Sequence, residues 1–403
     1  MFQRLLNPLP KRSFFLFGAR GTGKTTWLMG HFKKQNHLYL DLLEDETESR
    51  YSKRPGILDH ELQHLDLENR LPRTVIIDEV QKIPKLLDIA QKWIQKKKLI
   101  FIFSGSSARK LKRGAANLLA GRANSYTLFP LSFLELEKQF QLEQALQWGT
   151  LPECATLNSE RGKKSFLRAY CQTYLKEEIL VEQLIRKLPP FRNFLEILAQ
   201  NNGKLLSLEK FSREVGVDHK TIASYIDILE DTYLGLLLRP FHPSLRKSQL
   251  QQPKFYFFDL GVKRQLDGTL GTPLIPSTSA FGDAFESWLI HEVHRINQYF
   301  ELDYRLSFYR SKHGAEVDLI LSKGSKRIFV EIKSTEVKDT AEISALARLT
   351  TEWDGPHDIY YVSRDLKAER MDSVTCLHYS DFLKKLSRGQ EPVRIAGRAK
   401  WRE

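Results

Sequence analysis

The chain has 403 residues, with 62 Lys+Arg against 49 Asp+Glu and a formal net charge of +13. A composition of 41% hydrophobic, 28% charged and 11% aromatic residues is that of a folded globular protein and excludes disordered, collagen-like and coiled-coil chains. The longest apolar runs, such as Leu99 to Phe103, fall far short of the ~20 residues that cross a bilayer.

At roughly 100–200 residues per domain this length predicts two to four domains. The first ten residues have neither the apolar stretch nor the small-residue cleavage site of a signal peptide, so the expected location is cytoplasmic. Cys154, Cys171 and Cys376 are too few and too far apart for a disulfide framework or a Cys-rich zinc cluster. The charge is uneven: residues 1–150 carry +9, 151–258 carry +4, and 259–403 are neutral. Lys92 to Arg113 holds eight basic residues and no acidic one, and the stretch from Lys384 onward is also basic. Both are candidate polyanion contacts.

In chain order, apolar runs at Ser13 to Phe17, His37 to Asp41, Thr74 to Asp78, Leu99 to Phe103 and Ser125 to Phe129 alternate with amphipathic stretches. Continuous apolar strands separated by helices predict a parallel sheet covered on both faces. From Glu160 to Asn201 the spacing is helical, with a break expected at Pro189-Pro190.

Two short helices follow. The first spans Ser207 to Val215 and stops at Gly216; Asp218 caps the second. Apolar strands near Leu234 to Leu238 and Phe255 to Phe258 would flank a wing carrying Arg246 and Lys247, giving a helix-turn-helix layout. His219, Lys220 and Ser224 offer DNA contacts, yet Asp227, Glu230 and Asp231 share their helix. DNA contact and a purely structural role are equal alternatives. A Gly/Pro/Ser/Thr-rich stretch containing Pro273 and Pro276 marks a linker or loop before the last part of the chain.

Gly18-Ala-Arg-Gly-Thr-Gly23-Lys24-Thr25 matches G-x-x-x-x-G-K-[ST] between a strand and a helix, the context that confirms a phosphate loop. Its glycines let backbone N–H groups wrap phosphates, Lys24 reaches the β- and γ-phosphates, and Thr25 offers a hydroxyl to Mg²⁺. Gly18, Ala19, Arg20, Gly21, Thr22, Gly23, Lys24, Thr25 and Thr26 are the candidate ATP contacts. The strand Thr74 to Asp78 ends in Asp78-Glu79, which assigns Asp78 to Mg²⁺ and Glu79 to water activation. Ser106 or Ser107 is placed to sense the terminal phosphate, although a plain polar turn explains the run equally well. Arg109 and Arg122 are candidates to stabilise transition-state charge, in cis or across the interface of a homo-oligomer.

In the last part, Asp318 lies inside the apolar run Gly314 to Leu321, and Glu331 and Lys333 follow in Val330 to Ser334. Period two sets Glu331 and Lys333 on one face, with Val330 and Ile332 on the other. Asp318 and Glu331 supply hard oxygen ligands for Mg²⁺, with Lys333 placed to orient water or offset negative charge. The helix Phe281 to Leu289 would add Glu286. A solvated Glu/Lys pair would explain Glu331 and Lys333 alone, but not the whole set.

Over nearly its whole length the chain resembles a large prokaryotic family of AAA+-type ATPases. The likeness rests on Gly18 to Thr25, Ile76 to Glu79, Ser104 to Ala108, Leu119 to Arg122, Phe255 to Gly261, and the Glu286, Asp318, Glu331-x-Lys333 set. It implies a multidomain α/β architecture: a P-loop ATPase domain over 1–150, a helical lid over 151–202, a winged helix over 203–258, and over 259–403 a restriction-endonuclease-like domain similar to PD-(D/E)XK nucleases. It further implies that Lys24, Thr25, Asp78 and Glu79 serve ATP, and that Glu286, Asp318, Glu331 and Lys333 form a nuclease-like site. The expected function is an ATPase that acts on nucleic acid, DNA in preference to RNA. The alternative is a nucleotide-controlled switch whose C-terminal domain binds a partner without cutting it.

Overall fold

The computed structural model describes residues 2–33, 36–107, 119, 121–174, 188–242, 251–311, 314–351, 353 and 355–388. Arg109, Arg246, Lys247, the basic residues from Lys110 to Arg113 and the tail beyond Arg388 lie outside the described residues. Contacts divide the chain into two compact units that do not follow the four sequence intervals. One holds Met1–Leu131, Leu151–Phe194 and Ser212–Gly235; the other holds Ser132–Thr150, Leu195–Phe211 and Leu236–Glu403.

In the first unit β1 (Ser13–Phe17), β2 (His37–Asp41), β3 (Thr74–Asp78), β4 (Ile100–Gly105) and β5 (Ala123–Thr127) form a sheet in the order β2-β3-β4-β1-β5. Every pair is parallel, as the apolar runs predict. Phe15, Phe17, Val75, Ile77 and Phe103 are buried with Leu58 and Leu62 of one helix (Ile57–Leu67) and Leu86, Ala90 and Trp93 of another (Leu86–Lys97). Phe15 stacks on Phe103 at 4.7 Å. Each such side chain contributes about 1.5–3 kcal/mol on burial. Because β4 lies between β1 and β3, the loops after these three strands open side by side, and this brings the P-loop to the acidic strand end.

The basic run is partly neutralised. Lys92 Nζ lies 2.7 Å from Asp59 Oδ2 and Lys97 Nζ 2.8 Å from Asp66 Oδ2.

Pro189-Pro190 lies in the first turn of the helix Leu188–Gln200, where proline costs least because the N–H groups there have no intrahelical partner; residues 175–187 lie outside the described residues. The two short helices form as Leu208–Val215 and His219–Asp231. Gly216 closes the first with φ +75, and Asp218 Oδ1 accepts from Thr221 N–H at 3.0 Å to cap the second.

The strands expected to frame a wing are β6 (Gly235–Pro240) and β7 (Lys254–Phe257), and they join the sheet of the second unit. That sheet also contains β8 (Arg305–Arg310), β9 (Glu316–Lys323), β10 (Lys326–Ile332), β11 (His357–Ser363), β12 (Glu369–Met371) and β13 (Val374–His378), in the order β12-β13-β11-β10-β9-β8-β6-β7. β8, β9 and β10 run antiparallel, and β11 pairs parallel with β10 and with β13. One face packs Phe285, Trp288, Leu289 and Val293 of the helix Ser279–Tyr299 against Val330, Ile332 and Val362. The other packs Ile343 and Leu346 of Thr340–Thr350 against Phe329 and Tyr361.

Residues 132–150, read from sequence as part of the ATPase interval, fold with this second unit. Leu142, Ala145 and Leu146 are buried in its core, and Asp259 Oδ2 accepts the Thr150 N–H at 2.7 Å. Among the described residues no helix is long and apolar enough to cross a membrane.

Candidate functional site

The P-loop leaves β1 with Gly18 at φ +148, Gly21 at +79 and Gly23 at +91, values that glycine adopts without a Cβ penalty. A Cβ at Gly18 would lie 2.2 Å from the Leu128 carbonyl oxygen, so only glycine fits there. The Thr22 hydroxyl donates to the Ala19 carbonyl at 2.9 Å, which fixes the tip of the loop. Arg4 Nη1 donates to the Thr22 carbonyl at 2.8 Å, and the Tyr170 hydroxyl to the Arg20 carbonyl, also at 2.8 Å. Tyr170 opens a π-helical turn, Tyr170–Tyr174, an irregularity frequent at functional sites.

Lys24 is 6% exposed, and its ammonium donates to the Gly18 carbonyl at 2.8 Å and the Ala19 carbonyl at 3.2 Å. A buried cation resting on backbone carbonyls suits an anionic guest. Thr25 and Thr26 are exposed in the first turn of the following helix (Lys24–Phe32).

Asp78, at the end of β3, is enclosed by hydroxyls. Its Oδ2 accepts from Thr25 Oγ1 at 2.7 Å and from the Tyr39 phenol at 2.7 Å, while Oδ1 accepts from Ser104. Thr25 and Asp78 thus meet as the sequence requires. A hydroxyl beside a carboxylate is a hard-oxygen set that suits Mg²⁺ with its waters and phosphate oxygens. Glu79 stands in the left-handed region at φ +59, its N–H donates to Ser104 Oγ at 3.3 Å, and its carboxylate accepts from Gln81. Ser106 is beside Gln81, whereas Ser107 is fully buried and Arg122 is exposed ahead of β5.

In the second unit the predicted set comes from three elements: Glu286 from the helix Ser279–Tyr299, Asp318 from β9, and Glu331 and Lys333 from the end of β10. Lys333 Nζ donates to Glu331 Oε1 at 2.6 Å, which puts both on one face as period two predicts. Asp318 Oδ2 accepts the Ile332 N–H at 2.8 Å.

β7 and β9 bring three further residues that the sequence reading missed. The Tyr256 hydroxyl donates to Glu286 Oε1 at 2.7 Å, and Lys254 Nζ lies 3.6 Å from Glu286 and 2.6 Å from Glu316. The available signal was the i, i+2 spacing of Lys254/Tyr256 and Glu316/Asp318, each pair on one face of its strand.

These charges act on one another. Burial, then the charge of Asp318, raises the Glu286 carboxyl to about 7. Burial, then Glu331, raises Asp318, and burial raises Glu331 as well. Burial opposes charge on Lys254, but Glu286 and Glu316 outweigh it and the ammonium is held above its usual range. Glu331 Oε2 is enclosed with no hydrogen-bond partner, an unmet demand of the kind a cation satisfies. Among the described residues no group of three His, Cys, Asp or Glu is arranged to hold a metal.

A parallel sheet with a glycine cradle after β1 and an acidic pair after the neighbouring β3 defines a P-loop nucleotide-binding domain. Residues 10–137 match the family described as AAA domain, a match that supports a P-loop ATPase domain and ATP binding. Residues 139–272 and 281–382 match two domains of unknown function, DUF8612 and DUF4143. An uncharacterized protein of Mycobacterium tuberculosis is 25% identical over 294 residues, which is 70% of this chain and 65% of the relative's length. One from Haemophilus influenzae is 20% identical over 390 residues, covering 91% of this chain and 92% of that protein. Among solved structures, a Walker-type ATPase of Pyrococcus abyssi is similar at a TM-score of 0.42 and 15% identity, covering 63% of this chain and 90% of that one.

Proposed function

We propose that the chain hydrolyses ATP in its P-loop domain and acts on nucleic acid, DNA foremost, through a Mg²⁺-dependent nuclease-like site at Glu286, Asp318, Glu331 and Lys333. One observation carries the second half: four residues from a helix and two strands gather, Asp318 buried and Glu286, Glu331 and Lys333 partly so, with one enclosed, unpartnered carboxylate oxygen on Glu331. In this reading Lys24 holds the terminal phosphates, Thr25 and Asp78 hold Mg²⁺, and Glu79 takes the proton of the attacking water. Mg²⁺, when bound, supplies charge stabilisation to the phosphate oxygens. At the second site Asp318 and Glu331 are the metal ligands, Lys333 steadies Glu331 and the attacking water, and Glu286 holds a proton near neutrality.

Phosphodiester contact is assigned to this cluster rather than to the helix His219–Asp231, whose Asp227, Glu230 and Asp231 repel a polyanion. The family likeness extends the expectation of a winged helix and a PD-(D/E)XK-type domain to residues 203–258 and 259–403.

A nucleotide-controlled switch that binds a partner without cutting is the second reading. It is favoured by Lys254, whose ammonium already pairs with Glu316 and lies 3.6 Å from Glu286. The deciding test is ATP turnover and cleavage on single-stranded, duplex and branched DNA and on RNA, with Mg²⁺ or Mn²⁺, for wild type and Asp318→Ala. Cleavage by wild type that Asp318→Ala lacks supports the nuclease. Turnover without cleavage of any substrate leaves the switch.

A further inference from the structure

Gln81 lies two residues beyond Glu79, in the one-turn 3-10 helix Val80–Lys82, and is 6% exposed. Its amide nitrogen donates to Glu79 Oε2 and, at 3.3 Å, to Ser106 Oγ. A carboxylate oxygen only accepts, so the atom facing Glu79 is the nitrogen and the orientation of the amide is fixed. Both amide hydrogens are then committed, one to each partner. The amide oxygen is left enclosed without a hydrogen bond, a cost that folded proteins retain where a polar network has work to do.

The surroundings are shaped around this amide. A Cβ at Gly105 would lie 2.5 Å from Gln81 Oε1, so the glycine between Ser104 and Ser106 is what admits it. On the far side Ser104 Oγ accepts the Glu79 N–H at 3.3 Å and donates to Asp78. Glu79 is therefore gripped at its backbone by Ser104 and at its carboxylate by Gln81. Accepting from Gln81 leaves the Ser106 hydroxyl hydrogen available for an anion beyond the end of β4.

We infer that Gln81 is a positioning residue that couples occupancy of the terminal-phosphate position, felt at Ser106, to the aim of the Glu79 carboxylate. This rests on the ATPase reading above and names how that site is regulated. When Ser106 turns its hydroxyl to a phosphate oxygen, the amide shared with Glu79 keeps the carboxylate in the pose that takes a proton from water.

The test uses the full chain and compares wild type with Gln81→Met, which keeps the volume, Gln81→Ala, Ser106→Ala and the Gln81→Met/Ser106→Ala pair. Calorimetry measures the affinity for Mg·ADP alone and with aluminium fluoride, a mimic of the transferring phosphoryl group, and hydrolysis is followed separately. The Gln81 variants are expected to bind ADP within about 3-fold of wild type but to lose about 10- to 100-fold of the extra affinity given by aluminium fluoride. A matching loss in kcat with little change in KM should accompany it, and the double variant should be no worse than the weaker single one. Full aluminium fluoride discrimination in both Gln81 variants, or losses that add across the two positions, would overturn the role of Gln81. A wild type that binds ADP yet gains nothing from aluminium fluoride and hydrolyses nothing would instead bring down the ATPase reading, and the coupling with it.

Discussion

The Tyr39 phenol donates to Asp78 Oδ2 at 2.7 Å, the same oxygen that takes the Thr25 hydroxyl. Burial, then the Asp78 charge, drives the phenol's pKa upward, so it stays protonated and remains a donor. Tyr39→Phe removes this one hydrogen bond to a charged group and should lower stability by on the order of 1–3 kcal/mol. Denaturant unfolding of the nucleotide-free protein measures it. An unchanged midpoint would mean that Tyr39 contributes only packing.

Lys24→Ala and Glu79→Gln should separate binding from chemistry. The first removes the buried ammonium and should abolish measurable ATP binding in calorimetry. The second leaves the cradle intact, so ATP should still bind while turnover falls by about 10²- to 10⁴-fold, the range for loss of a general base. Equal losses of binding in both variants would contradict the assigned roles.

Lys254→Ala should leave the buried Asp318 and the partly buried Glu286 and Glu316 without the ammonium that now offsets part of their charge. Removing one partner of such a set costs about 3–5 kcal/mol. Glu286 and Asp318, both already raised and both held down by Lys254, should rise further, so the loss should be larger at pH 8 than at pH 5. Thermal unfolding at both values checks this, and a uniform loss would point to packing alone.

Glu292 is fully buried and accepts from Arg295 Nη1 at 2.9 Å and from the Phe133 N–H at 2.8 Å. Burial raises its carboxyl from 4.5 to about 7, with Arg295 pulling the other way. A raised folded-state value stabilises the protein fully below the unfolded value and loses that contribution as pH climbs through the folded one. Wild type should therefore lose on the order of 2–3 kcal/mol relative to Glu292→Gln between about pH 4.5 and 7. Parallel pH profiles of the two proteins would refute this.

The P-loop, the acidic strand end and the first parallel sheet were legible because each is local. A glycine spacing, an apolar run and a carboxylate pair need only their own neighbours in the chain to be recognised. The Glu331-x-Lys333 face was legible for the same reason, since strand periodicity sets it. Sequence alone also determined the helix caps at Gly216 and Asp218, where backbone sign and a side-chain acceptor decide the outcome within four residues.

What only the tertiary structure decided depends on partners distant in sequence. Residues 132–150 left the ATPase interval because Leu142 and Leu146 find their apolar partners in the second unit's core. The strands at Gly235–Pro240 and Lys254–Phe257 joined the eight-stranded sheet of the second unit, a pairing the sequence could not give because an apolar run specifies a strand but not its neighbour. Tyr39, Gln81 and Lys254 carried no motif. Each acquired its role when folding removed water from around a carboxylate and left that side chain to satisfy it.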